Sequence, residues 1–70
     1  LLRTKRQETE RLVAAARERK SEYMKVIASG KTATIISAAH AYHDAFDDLK
    51  AHTRWSLSKL FDVVNEGADF

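Results

Sequence analysis

From Ile35 to Val64 the chain carries an apolar stripe in which Ile35, Ala39, Tyr42, Phe46, Leu49, Thr53, Leu57, Leu60 and Val64 follow one another at spacings of three or four. That is the repeat of one face of an α-helix, whereas a half-buried strand alternates every second residue. The chain contains no proline, and no glycine lies between Gly30 and Gly67. The stripe therefore constrains the fold more than any other feature. It predicts an all-α protein built as an antiparallel helical hairpin of two long helices, with a short third helix if the chain bends near residues 52–54.

The first helix is expected over residues 4–29. Thr4 and Gln7 have the spacing of a capping box, in which each side chain satisfies a free amide of the first turn. Glu8 and Glu10 then sit near the positive end of the helix dipole. Arg6–Glu10, Lys5–Glu8, Arg19–Glu22 and Glu22–Lys25 have the spacing of surface ion pairs. The inward stripe of this helix is Leu2, Thr9, Leu12, Ala16, Tyr23 and Ile27. Gly30 suits the left-handed position past a helix end, so the turn is placed at 30–31. Thr32 is then the expected cap of a second helix that runs over 32–66 to Gly67, with a kink near 52–54 as the alternative. A connection this short favours antiparallel neighbours. With Ile27 set near Ile35, Tyr23 meets Ala39, Ala16 meets Phe46 and Leu12 meets Leu49. Large then faces small twice, as close-packed layers require.

Seventy residues form one small domain at most, with roughly 3–5 kcal/mol of net stability from so thin a core. There is no cysteine, so a disulfide, a thiolate zinc site and an iron–sulfur cluster are excluded. Oligomerisation is the common remaining remedy. A second apolar flank, Val13 and Met24 on helix one with Ile36 and Phe61 on helix two, points the same way, because a lone hairpin cannot cover both stripes. The expected completion is a homodimeric four-helix bundle with coiled-coil packing, or docking of a partner helix. Trp55 joins this expected association interface. On a continuous second helix it points away from the stripe, beside Asp44 and Asp48, where only a bend or a partner would keep it from water.

The net charge of +2 divides unevenly. Residues 1–31 hold nine Lys/Arg against four Glu, and residues 32–70 hold three Lys/Arg against six Asp/Glu. Two oppositely charged helices attract one another in a hairpin, and that is the plain meaning of the asymmetry. The alternative is a phosphate-contacting face that reads the shape of double-stranded nucleic acid, using Arg3, Arg6 and Arg17 with Arg11 and Lys25 to one side. Glu10 interrupts that face.

The chemistry-bearing residues are few. His40 and Asp44, and His43 and Asp47, are four apart and are the weak metal candidates, with Asp48 adjacent. Two adjacent helical turns supply at most three ligands where structural zinc wants four, so a solvated acidic face is expected and no metal or cofactor is assigned. Gly30-Lys31-Thr32 resembles the end of a phosphate-binding loop, but Lys25 stands where the first glycine belongs. The serines lack a strand-to-helix elbow, and no paired carboxylates are set in a pocket. The chain is therefore expected not to be an enzyme. No apolar run approaches the ~20 residues of a membrane span, and no signal peptide is visible. The expected setting is intracellular and cytoplasmic, away from membranes. The start at Leu1, without methionine, suggests a fragment of a longer protein. The sequence thus points to a protein–protein interaction or self-association module.

Overall fold

The computed structural model describes residues 4–70, and over these it is all-helical. Three α-helices follow in order: α1 (Lys5–Ser29), α2 (Thr32–Thr53) and α3 (Leu57–Asn65). The capping box at the start of α1 is present on both sides. Gln7 N–H donates to Thr4 Oγ1 at 3.1 Å, and Thr4 N–H donates to Gln7 Oε1 at 2.9 Å. Gly30 ends α1 in the left-handed region with φ 73°, and its N–H donates to the Ile27 carbonyl. The residue that caps α2 is Lys31, which makes no side-chain cap hydrogen bond, and not Thr32, which is already helical.

The second helix does not run to residue 66. It stops at Thr53, and the physical reason is a set of local hydrogen bonds that needs neither glycine nor proline. Thr53 Oγ1 donates to the Leu49 carbonyl at 2.8 Å and accepts the Trp55 N–H at 3.3 Å. Arg54 adopts the left-handed conformation with φ 58°, and its N–H donates to the Lys50 carbonyl at 2.8 Å. Ser56 then caps α3 by accepting the Lys59 N–H at 3.2 Å. A hydroxyl on each side of the break replaces the helical bonds that the break removes.

The interruption resets the helical phase. Leu57, inward on a continuous helix, is 53% exposed, and Val63 takes its place in the core beside Leu60 and Val64. The core cluster unites Leu12, Val13 and Ala16 of α1, Leu49 of α2, and Leu60, Val63 and Val64 of α3, with Phe46, Tyr42 and Trp55 packed against it. Leu49 and Leu60 are fully buried, each contributing about 1.5–3 kcal/mol by removal from water.

The α1–α2 contacts pair the start of one helix with the end of the other. His52 Nε2 lies 3.0 Å from Thr9 Oγ1, while Tyr23 stacks on Tyr42 with ring centroids 6.0 Å apart. Because the Thr9 hydroxyl donates to the Lys5 carbonyl, the His52 ring must donate to Thr9 through Nε2. Tyr23 reaches Tyr42 where the expected register sets it against Ala39, since a long ring leans along its helix to find an aromatic partner.

Candidate docking surface

Four long-range hydrogen bonds decide where α3 sits. Arg17 donates from Nε to the Val63 carbonyl at 2.9 Å and from Nη2 to the Ala68 carbonyl at 3.1 Å. Lys20 Nζ donates to the Asn65 carbonyl at 3.3 Å, and Tyr42 Oη donates to Asn65 Oδ1 at 3.2 Å. Two cations of α1 thus satisfy carbonyls at and beyond the end of α3, where the helix dipole is negative. They fix α3 over the half of the α1–α2 pair that lies away from the Gly30 turn. Nothing among the described residues covers the other half.

Exposure of large apolar side chains follows from that placement. Met24 is 56% exposed, Ile27 43%, Ile36 53% and Phe61 49%. Met24 lies eleven residues from Val13, three helical turns along the same flank. Val13 is 2% exposed because it clusters with α3, and Met24 is bare because α3 does not reach it. Val13 therefore belongs to the intrachain core and leaves the set of association residues read from sequence.

On α2 the bare region is continuous. Ile36, Ala39, His40 and His43 line one shallow concavity. His43 also borders a second, in which Tyr42 and Phe46 of α2 face Leu57 and Phe61 of α3, with Asp47 and Lys50 at the rim. The rings of Phe46 and Phe61 are 5.6 Å apart, so the two helices form one aromatic edge. The strip thus runs from Ile36 near the turn to Leu57 at the start of α3. Sequence reasoning reached Ile36 and Phe61 but missed Leu57 and Ile27. It counted both as inward, and for Leu57 the phase reset at Arg54 was the missing signal.

Trp55 is half-buried by its own chain. Phe70 packs on it at 5.7 Å between centroids, and Lys59 Nζ lies 4.6 Å from the ring centre in a cation–π contact. It borders one cleft with Lys5, Arg6, Thr9 and Phe70, and another with Asp47, Lys50, Ala51 and Arg54.

Among the described residues, Arg6, Arg11 and Arg17 of the basic candidates already engage groups of the same chain. Arg3 lies outside the described residues. Arg6 pairs with Glu10 at 3.2 Å, and Arg11 pairs with Glu8. The Glu8 carboxylate, by its hydrogen bond and then by its charge, holds the Arg11 guanidinium above its usual value. Arg17 is committed to carbonyls, and Lys25 lies in an open groove beside Arg19 and Glu22.

His43 Nδ1 and Asp47 Oδ2 form an exposed pair at 3.2 Å, worth little in water. His40 and Asp44 are exposed on the same helix. No group of three or more His, Cys, Asp or Glu among the described residues is placed to hold a metal ion. No described helix is long and apolar enough to cross a membrane. Comparison of the chain with protein-family models, curated proteins and solved structures returns no match.

Proposed function

We propose that this chain is a protein–protein association module: an antiparallel helical hairpin, clasped at one end by a short third helix, that docks a protein partner along the Ile36–Phe61 strip of α2 and α3. The observation that carries the proposal is the continuity of that strip. Single exposed apolar residues are ordinary on a protein surface, but a run of adjacent aliphatic and aromatic side chains bordered by a polar rim is the composition of an interface. Phe61 and Phe46 supply the aromatic anchor such surfaces use. On this proposal the chain performs no reaction, and the His/Asp residues of α2 act as a solvated rim.

Support for phosphate binding is weaker than the charge of α1 suggests, because Arg17 and Lys20 already serve the carbonyls at and beyond the end of α3. The test is a photo-reactive benzoylphenylalanine placed at Phe61, with the same group at Ala14, exposed on α1, as control. Irradiation of cells producing the chain should give a covalent protein adduct from the Phe61 probe and none from Ala14. Failure of the Phe61 probe to label any protein contradicts the proposal.

A further inference from the structure

We infer that the face around Trp55 binds a single strand of nucleic acid, with a base stacked on the indole and the adjoining phosphates held by Lys5 and Arg6 on one side and by Lys50 and Arg54 on the other. The inference goes beyond the docking role and does not depend on it.

Trp55 is the wall shared by two clefts. Lys5 and Arg6, in the first turn of α1, line one of them with Phe70. Lys50, in the last turn of α2, and Arg54, just past it, line the other. Lys59 of α3 stands 4.6 Å from the ring centre. Five of the chain's twelve Lys and Arg residues thus gather round its one tryptophan, brought there from three helices. All five are exposed. Lys5, Lys50, Arg54 and Lys59 form no ion pair with a described residue. Arg6 shares an exposed pair with Glu10, which is worth little in water. The one acid lining either cleft, Asp47, is turned to His43. The local charge is therefore positive and largely unneutralised.

The ring and the arginine beside it are both held in place. Phe70 packs on Trp55 at a tilt of 55° and fixes it at the mouth of both clefts. Arg54 is left-handed with φ 58°, a conformation that glycine adopts without strain, and strained residues of this kind cluster at binding sites. Lys59 is exposed, and a solvated cation–π contact is weak, so its ammonium moves from the ring to a phosphate when a base takes its place.

Charge and ring together select the occupant. Cations alone accept any polyanion, including an acidic peptide. A tryptophan between two pairs of cations adds a π face, and nucleic-acid bases are flat rings chained to phosphates. In a duplex each base is already stacked between its neighbours, so a single strand is the form that offers one to the indole.

Trp55 is the only tryptophan, so its fluorescence reads the site directly. At low salt a short oligothymidylate should bind and quench it. An abasic oligomer of the same length should bind about tenfold more weakly without quenching. A duplex and polyglutamate should leave the emission unchanged. Lys50→Gln with Arg54→Gln, and Lys5→Gln with Arg6→Gln, should each weaken oligothymidylate binding by about tenfold and flatten its salt dependence. Lys25→Gln with Lys31→Gln, the same loss of charge near the Gly30 turn, should change it by less than about twofold. All six side chains are exposed, so helicity by circular dichroism should not change. Absence of quenching by oligothymidylate overturns the inference, as does equal quenching by the duplex or by polyglutamate. An equal loss from the Lys25 and Lys31 pair overturns it in favour of bulk charge, and equal affinity for the abasic oligomer overturns it in favour of phosphate binding without a stacked base.

Discussion

Replacement of Arg17 by methionine tests how α3 is held and separates a structural role from a phosphate-binding one. The guanidinium makes two hydrogen bonds across forty-six and fifty-one residues of sequence, at 2.9 and 3.1 Å, to carbonyls that no helical amide satisfies. A hydrogen bond with one charged partner contributes about 1.5–3 kcal/mol when buried. Arg17 is half-buried, so about 1 kcal/mol for each bond is the better figure, with roughly 0.3–1 kcal/mol more from the cation at the helix terminus. Methionine keeps the aliphatic stem, so packing changes little. The expected loss is about 2–3 kcal/mol, on the order of half of the roughly 3–5 kcal/mol available to so small a core. Urea unfolding followed by far-ultraviolet circular dichroism, at one fixed protein concentration, should show the midpoint fall by about half or more. Arg17→Lys should lie between, since it keeps the charge and loses the two-pronged donor. Arg19→Met, which removes only an exposed pair with Glu22, should change little. If Arg17→Met costs no more than Arg19→Met, the clasp does not hold α3, and Arg17 becomes free for an anionic ligand.

Three further outcomes follow from local geometry. Arg54→Gly should stabilise the chain by about 1 kcal/mol, because a left-handed residue with a Cβ carries that strain and glycine does not; a destabilised variant in urea unfolding would contradict the break as described. Phe70→Ala should red-shift the Trp55 emission by the same amount at every concentration, since the cover comes from the same chain; a shift that disappears on dilution would instead place Trp55 in an interface between chains. The Tyr42 phenol is held above the ordinary tyrosine value, first by burial, with the Asn65 amide opposing because it can turn its NH2 toward a phenolate. A raised value in the fold means that the stabilising contribution is complete below the unfolded value of about 10 and is lost as pH rises through the folded one. Stability should therefore fall on the alkaline side, and Tyr42→Phe should flatten that fall; an unchanged alkaline slope would contradict the burial assigned to this ring.

Much of the helical architecture was legible because its signals are local. The Thr4–Gln7 box, the Gly30 terminator and the three-four spacing of Leu12, Ala16, Phe46 and Leu49 each act within one or two turns, and each holds in the structure. The break at Arg54 was only half legible. Neither proline nor glycine marks it, and the hydroxyls of Thr53 and Ser56 that replace the lost helical bonds look like ordinary helix residues in a list. The break moves the face of α3: Leu57, on the stripe of a continuous helix, is exposed, while Val63, at the edge of that stripe, is buried beside Leu60 and Val64. Arg17 shows the other limit. Its partners lie at the far end of the chain, so no spacing rule connects them, and an arginine on an apparently outer face invites a phosphate. Val13 fails for the same reason, since only the docking of α3 distinguishes its flank from that of Met24.

The central claim is that the bare strip of α2 and α3 docks a protein. The photo-reactive group at Phe61 measures this most directly, compared with the same group at Ala14 and with the Phe61 group in an Ile36→Glu background. The account predicts a covalent protein adduct from Phe61 that is lost with Ile36→Glu and is absent from Ala14. No adduct from Phe61, or equal labelling from Ala14, would contradict it.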